Sequence, residues 1–306
     1  MARGHGKVIL FGEHGVVHGR PALAMAVEGG AEVQLRARDT GITSLHIAPW
    51  DVRIDTSDTP SENALPLQNA LKAARALYED HLEVELGAEV KLPGGAGMGS
   101  SAALGVAVLR AMDEARGIQR EDAEIAERSL AWERVFHGNP SGVDNALAAH
   151  GGVAVFRKGQ PIERVVPRQV VRLVVGNSGE SSSTKEMVDS VARQLERDPA
   201  RVEKIFEGME SIVRNGRLAL EQGNLRDLGQ LLQLNHGLLA SLMLSTPTLE
   251  EMLRAAEQAG ALGAKVTGAG GGGCMIALVE DAGSQANVAA AIRDLGKDVY
   301  EVETNA

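Results

Sequence analysis

The order of apolar and polar positions divides the chain into short strands and longer helices. Residues 7–11 read as a buried strand that enters Gly12-Glu13-His14-Gly15. Val16 and Val17 are expected to continue it, with 21–27 as a short apolar connection. Residues 31–38, 45–48 and 52–55 alternate apolar with polar, as half-buried strands do. A polar loop is expected over 56–62. Residues 64–81 then place Leu67, Leu71, Ala74 and Leu77 on one helical face. A strand over 83–92 runs into a glycine-rich stretch, followed by a run to Arg116 that is apolar nearly all round. That run predicts a central helix ended by Gly117. Helices over 121–136 and 141–149 and a strand over 152–156 follow.

The pattern weakens around 161–167, where a boundary between domains 1–165 and 166–306 is expected. Beyond it come a strand (170–175), a polar loop (177–183) and four helices (184–196, 200–221, 225–243 and 248–258). Strands over 264–267 and 275–280 flank the glycine run 268–273, and a helix (284–295) and a last strand (299–302) complete the pattern. This alternation predicts an α+β fold with helices on one face of an antiparallel sheet.

The stretch Pro93-Gly-Gly-Ala-Gly-Met-Gly-Ser-Ser-Ala-Ala103 joins a strand to the central helix. Its glycines let the backbone take positive φ and lie close to a ligand, and Ser100 and Ser101 stand where a helix leaves its first N–H groups unpaired. A phosphate cradle is the reading preferred over a helix cap on a flexible turn. It is neither the common P-loop, since Ser100 occupies the lysine position after Gly99, nor a dinucleotide fingerprint, since Gly95, Gly97 and Gly99 are too closely spaced. A bound phosphate would therefore need a metal or a distant cation.

Composition narrows the partners. The formal net charge is −10 and aromatic residues make up 3% of the 306, which argues against nucleic acid. One cysteine, Cys274, precludes an internal disulfide and suits a reducing compartment. With no signal peptide or membrane-spanning run in the pattern, a cytoplasmic protein without a membrane partner is expected.

Candidate chemistry lies in scattered polar residues. Lys7 precedes a tight turn, so an inward-pointing lysine is weighed against a solvated one. Glu13 and His14 could meet a substrate, or be no more than a turn acid and a surface histidine. Glu133 sits late in a helix, where a carboxylate opposes the helix dipole. Either it binds Mg²⁺ with a hydroxyl from Ser100 or Ser101, or it pairs at the surface with Arg128 or Arg134. Asp144 lies in a first helical turn, where a negative charge is favoured by about 0.3–1 kcal/mol. It is either a plain helix-start residue or, with Lys7, a catalytic base. The glycine run 268–273, preceded by Lys265 and Thr267, is a second place for close backbone approach, and the hydroxyls at 181–184 either cap a helix or meet an anion.

These residues carry a resemblance. Gly6-Lys-Val-Ile-Leu-Phe-Gly-Glu-His-Gly-Val-Val-His-Gly19, the 93–103 loop and Lys265-Val-Thr-Gly-Ala-Gly-Gly-Gly-Gly-Cys274 resemble, in order, the three motifs of the galactokinase–homoserine kinase–mevalonate kinase–phosphomevalonate kinase superfamily. Between them, His137-Gly-Asn-Pro-Ser-Gly-Val-Asp-Asn145 resembles the active-site segment of its mevalonate kinase family. The resemblance implies a ribosomal-protein-S5-like N-terminal half and a ferredoxin-like C-terminal half. It also implies ATP- and Mg²⁺-dependent transfer of a phosphoryl group to the 5-hydroxyl of mevalonate, in isoprenoid precursor synthesis. Carried over by position, Asp144 matches the proposed base and Lys7 its cationic partner. Gly95, Ala96, Gly97, Met98, Gly99, Ser100 and Ser101 match the ATP loop, Ser101 and Glu133 the Mg²⁺ ligands, and Glu13, His14, Asp144 and Thr184 the substrate positions. Phosphomevalonate kinase is the nearest rival, a non-catalytic nucleotide-binding relative is an alternative of another class, and a homodimer stays open. Two positions depart from the family: His5, where proline is common, and 179–183, the approach to Thr184.

Overall fold

The computed structural model describes residues 1–57, 59, 64–92, 97–138, 140–181 and 183–304. The chain forms two compact units that interleave along the sequence. One comprises Met1–Lys7, Glu28–Gly94 and Gly99–Gly151, and the other Val8–Val27, Gly95–Met98 and Gly152–Ala306.

Strands β1 (Ala2–Phe11) and β2 (Ala22–Arg38) each contribute residues to both units. The stretch expected as a connection, 21–27, is therefore largely strand. Its residues are nearly all apolar and buried, so it lacks the alternation by which a half-buried strand is recognised. Val16 and Val17 do not continue β1 either. They lie in a 3₁₀ turn, Gly15–His18, set up by positive φ at Gly12 and His14.

In the first unit β3 (Ser44–Ile47) and β4 (Val52–Asp55) form a hairpin, α1 (Leu65–Arg75) follows, and β5 (Val84–Val90) returns parallel to β3. A parallel return requires a crossover connection, which α1 supplies. β5 in turn pairs antiparallel with the second half of β2, with a bulge between Leu35 and Ala37. Helices α2 (Ser100–Arg116), α3 (Asp122–His137) and α4 (Val143–His150) complete this unit. Leu104, Ala107, Val108 and Met112 of α2 join Val33, Leu45, Leu86 and Trp132 in one core, so the central position expected for α2 holds. Gly105 allows α2 to meet α3 closely, because a Cβ there would stand 2.7 Å from the Trp132 ring.

In the second unit the start of β2 pairs with β6 (Val153–Phe156), and β6 with β7 (Glu163–Val165). The rest is an antiparallel sheet under helices. Strand β8 (Arg172–Asn177) leads to α5 (Thr184–Arg197), α6 (Pro199–Gln222), α7 (Leu225–Ser241) and α8 (Pro247–Gln258). After these come β9 (Gly263–Val266), β10 (Cys274–Val279), α9 (Ala282–Asp294) and β11 (Asp298–Glu303). The strand order is β11-β8-β10-β9, with Ile276 opposite Val175 and Met275 opposite Val266. Val174, Met275 and Ala277 pack with Phe206, Met252, Val266 and Ile292 in a second core. Side chains cap these helices: Ser183 for α5, Asp198 for α6, Asn224 for α7, Thr246 for α8, and Asp281 with Ser284 for α9.

Replacing Gly105 with alanine should overpack the α2–α3 contact and destabilise the protein by about 1–3 kcal/mol, since the obstructing atoms belong to a buried indole. Urea unfolding of Gly105→Ala measures this, and an unchanged midpoint would mean that Trp132 moves freely.

Candidate active site

Helix α2 begins unlike the capped helices of the second unit. Its N-cap is Gly99 in the left-handed region (φ 74°), which makes no side-chain cap hydrogen bond. Gly97 is also left-handed (φ 75°), so the expected positive-φ glycines occur where they are described. Gly95 and Ala96, expected to touch the nucleotide, lie outside the described residues, as do Pro93 and Gly94. Met98 and Ser100 are buried, and Ser101 is half-buried in the first turn of α2.

Glycine at 99 serves a neighbour as well as the turn. A Cβ there would stand 3.0 Å from Lys7 Cγ, so the lysine side chain lies against the bare backbone. Lys7 points inward from β1 and is buried, and its Nζ lies 3.1 Å from Asp144 Oδ1. Asp144 sits in the first turn of α4, after the left-handed N-cap Gly142, and stays partly open to solvent. The solvated-lysine and plain helix-start readings both give way to an ion pair.

Glu133 is only 2% exposed, which excludes its surface-pair alternative. The Ser101 hydroxyl donates to its Oε1 at 2.6 Å, and His137 Nε2 approaches Oε2 at 3.5 Å. Arg128, one of the partners considered for it, donates instead to the Leu77 carbonyl and lies over the Tyr78 ring. Burial pushes the Glu133 carboxyl up to about 7. The Ser101 hydrogen bond opposes this, the negative charge of Asp144 reinforces it, and the Lys7 ammonium opposes it. Lys7, Ser101, Glu133 and Asp144 thus form one electrostatic neighbourhood, drawn from β1, α2, α3 and α4.

The described residues contain no cluster of three or more histidine, cysteine, aspartate or glutamate side chains able to cage a metal. One buried carboxylate beside one hydroxyl fits Mg²⁺, which keeps its waters and completes its shell with substrate phosphates.

Glu13 and His14 belong to a separate group within the second unit. Glu13 is 1% exposed; Lys265 Nζ donates to its Oε1 and Asn235 Nδ2 to its Oε2 at 3.2 Å. His14 is buried with φ 60°, and its Nε2–H donates to the Ala269 carbonyl at 2.9 Å. Burial pushes its imidazole down to about 4, so the ring is neutral at pH 7. Thr184, by contrast, is exposed at the start of α5. Lys265 and Asn235 were not singled out for chemistry by the sequence reading. Lys265 could have been, because a lysine inside a strand of otherwise apolar residues has to find a partner.

Residues 67–152 match the N terminal domain of the GHMP kinases, and residues 217–298 match the GHMP kinases C terminal region. The chain belongs to the GHMP kinases. Among its relatives is a mevalonate kinase of Pyrococcus horikoshii, 37% identical and aligned over 97% of this chain and 92% of that protein. Another, from Methanothermobacter thermautotrophicus, is 35% identical over 89% of this chain and 87% of its own length. The structure of L. major mevalonate kinase in complex with R-mevalonate superposes with a TM-score of 0.87 at 28% identity, covering 99% of this chain and 95% of that one. Streptococcus pneumoniae phosphomevalonate kinase shares the fold, with a TM-score of 0.81 at 20% identity over 98% of both chains. The α+β GHMP kinase fold is thus established for this chain, and no described helix is long and apolar enough to cross a membrane.

In this GHMP kinase the raised Glu133 carboxyl has a consequence for stability. Its folded pKa of about 7 exceeds the ordinary carboxylate value, so the native state holds the proton more tightly than the unfolded chain. The contribution of this group to stability therefore declines as pH rises from about 4.5 to 7. Glu133→Gln should flatten that decline and leave the metal-free protein at pH 8 more stable than wild type by about 1–3 kcal/mol. Urea titrations at pH 5 and pH 8 check the sign, and a variant less stable at pH 8 would show that the charged carboxylate is well accommodated.

Proposed function

We infer that this chain is an ATP-dependent mevalonate kinase, transferring the γ-phosphoryl group of ATP to the 5-hydroxyl of mevalonate to give 5-phosphomevalonate. The relatives that align along nearly the whole chain support this reading. The observation that carries its chemistry is the Lys7–Asp144 ion pair in the same electrostatic neighbourhood as the Ser101–Glu133 hydrogen bond.

Phosphoryl transfer depends largely on positioning and on neutralising charge. In the proposed mechanism the 97–101 turn and the uncapped start of α2 present backbone N–H groups to the triphosphate. Gly95 and Ala96 are assigned to the same loop by resemblance. The Ser101 hydroxyl and the Glu133 carboxylate would hold Mg²⁺, which supplies charge neutralisation on the phosphates when bound. Asp144 accepts the proton of the attacking hydroxyl as the oxygen–phosphorus bond forms and the γ-phosphoryl leaves ADP. Its partly open carboxylate is accessible for that, and Lys7 both orients it and offsets negative charge on the moving group. His14 and Thr184 are proposed to lie near the alcohol substrate. Glu13, matched to a substrate position by the resemblance, is proposed to act there indirectly, since both its carboxylate oxygens are engaged by protein donors.

Purified enzyme should release ADP with mevalonate, and much less with phosphomevalonate, galactose or homoserine. Equal or faster turnover of phosphomevalonate would shift the assignment to that kinase. Asp144→Asn should reduce kcat by about 10²–10⁴-fold while circular dichroism and ATP binding stay unchanged. A reduction below tenfold would remove Asp144 from proton transfer.

A further inference from the structure

We infer that Lys265 and Asn235, acting through the buried Glu13 carboxylate, are positioning residues that set the His14 turn for the alcohol substrate. The proposal rests on the kinase reading above and concerns residues that the motif comparison leaves without a role.

The geometry of the second unit supports it at four points. Glu13 lies between two donors from different elements, Lys265 on β9 and Asn235 on α7, one to each carboxylate oxygen. Asn235 is fully buried, and its Oδ1 accepts nothing among the described residues, so the side chain is oriented for its donor. Lys265 Nζ also reaches the Ile9 carbonyl at 3.4 Å. Two residues on, Thr267 Oγ1 donates to that carbonyl at 2.9 Å and accepts from Ile9 N–H at 3.2 Å. The end of β9 is thereby laced to the end of β1 on the approach to the turn. Immediately after Glu13, His14 takes a positive φ that a residue with a side chain rarely adopts, and its Nε2–H reaches Ala269 in the glycine run.

A strained turn persists only where its surroundings over-determine it. Apolar side chains could fill the space of the Glu13–Lys265 pair at no loss of stability, because burying two charges costs nearly as much as their attraction returns. They could not fix the rotation of the turn, since apolar contacts are not directional. Two charge-assisted hydrogen bonds from separate elements can. The pair's distinctive contribution is therefore orientation: it holds Glu13, and through the peptide that follows, the His14 ring and the Ala269 carbonyl.

The test compares Lys265→Met, Glu13→Gln, the double variant Glu13→Gln/Lys265→Met, and Asn235→Ala. Each Glu13 or Lys265 single variant should lower the urea midpoint, and the double variant should recover it in large part because no lone charge stays buried. The KM for mevalonate should nevertheless stay at least tenfold raised in the double variant, with the KM for ATP within twofold of wild type. Amide exchange at residues 13–15 should be at least tenfold faster. Recovery of the mevalonate KM together with the midpoint would make the pair purely structural and overturn the proposal. An unchanged KM in Asn235→Ala would remove Asn235 from it. If wild-type enzyme fails to phosphorylate mevalonate, the kinase reading itself fails. The exchange rates then decide alone, and unchanged protection at 13–15 in the double variant refutes the positioning role.

Discussion

The first unit depends on one electrostatic constraint: two carboxylates, Glu133 and Asp144, share a neighbourhood that contains a buried lysine. Burial raises the free energy of an ionised Glu133, and the charge of Asp144 adds to the penalty. Lys7 offsets part of it and needs space to do so. Gly99 supplies that space by lacking a Cβ, while its left-handed backbone also starts α2. Trp132, which packs against Gly105 of α2, is the residue before Glu133, so the contact that joins α2 to α3 also places Ser101 and Glu133 within hydrogen-bond distance. Packing and charge placement here share the same residues. A carboxyl pushed up to about 7 is one that a nearby positive charge would help to ionise.

The second unit handles buried charge differently. Lys265 and Glu13 are fully buried and matched to each other, with Asn235 satisfying the second carboxylate oxygen. Its helices start with side-chain caps, whereas α2 and α4 in the first unit start at left-handed glycines without them. A capped helix start has its donors occupied from within the chain, while an uncapped one keeps them for water or a ligand. The contrast runs between the two units, since α1 and α3 of the first also start without side-chain caps.

Most of the elements were legible because their causes are local. The helical period over 200–221 and 225–243 and the stop at Gly117 follow from spacing and backbone preference alone, and α6, α7 and α2 end within two residues of those expectations. The failures share a cause too. Residues 21–27 are apolar at nearly every position, so periodicity cannot distinguish a buried strand from a connection, and only pairing with β6 decides it. The turn at Gly15–His18 looked like strand because Val16 and Val17 favour one; the positive φ of His14 overrides that preference. Glu133 could be suspected from its unfavourable place on the helix dipole, but its burial depends on how α2 and α3 pack.

By itself the sequence determined the kinds of element, their order, the glycine-rich loops, and the residue types able to bind a metal and accept a proton, because these follow from short-range preference and from motifs within a few residues of each other. The meetings of Lys7 with Asp144 and of Ser101 with Glu133 were expected from the family resemblance and are made by tertiary packing, which alone decided that Lys265 and Asn235 converge on Glu13. Those partners lie 32 to 252 residues apart along the chain. No local pattern encodes such a distance; it arises only when apolar faces pack and leave a few charged groups with each other for company.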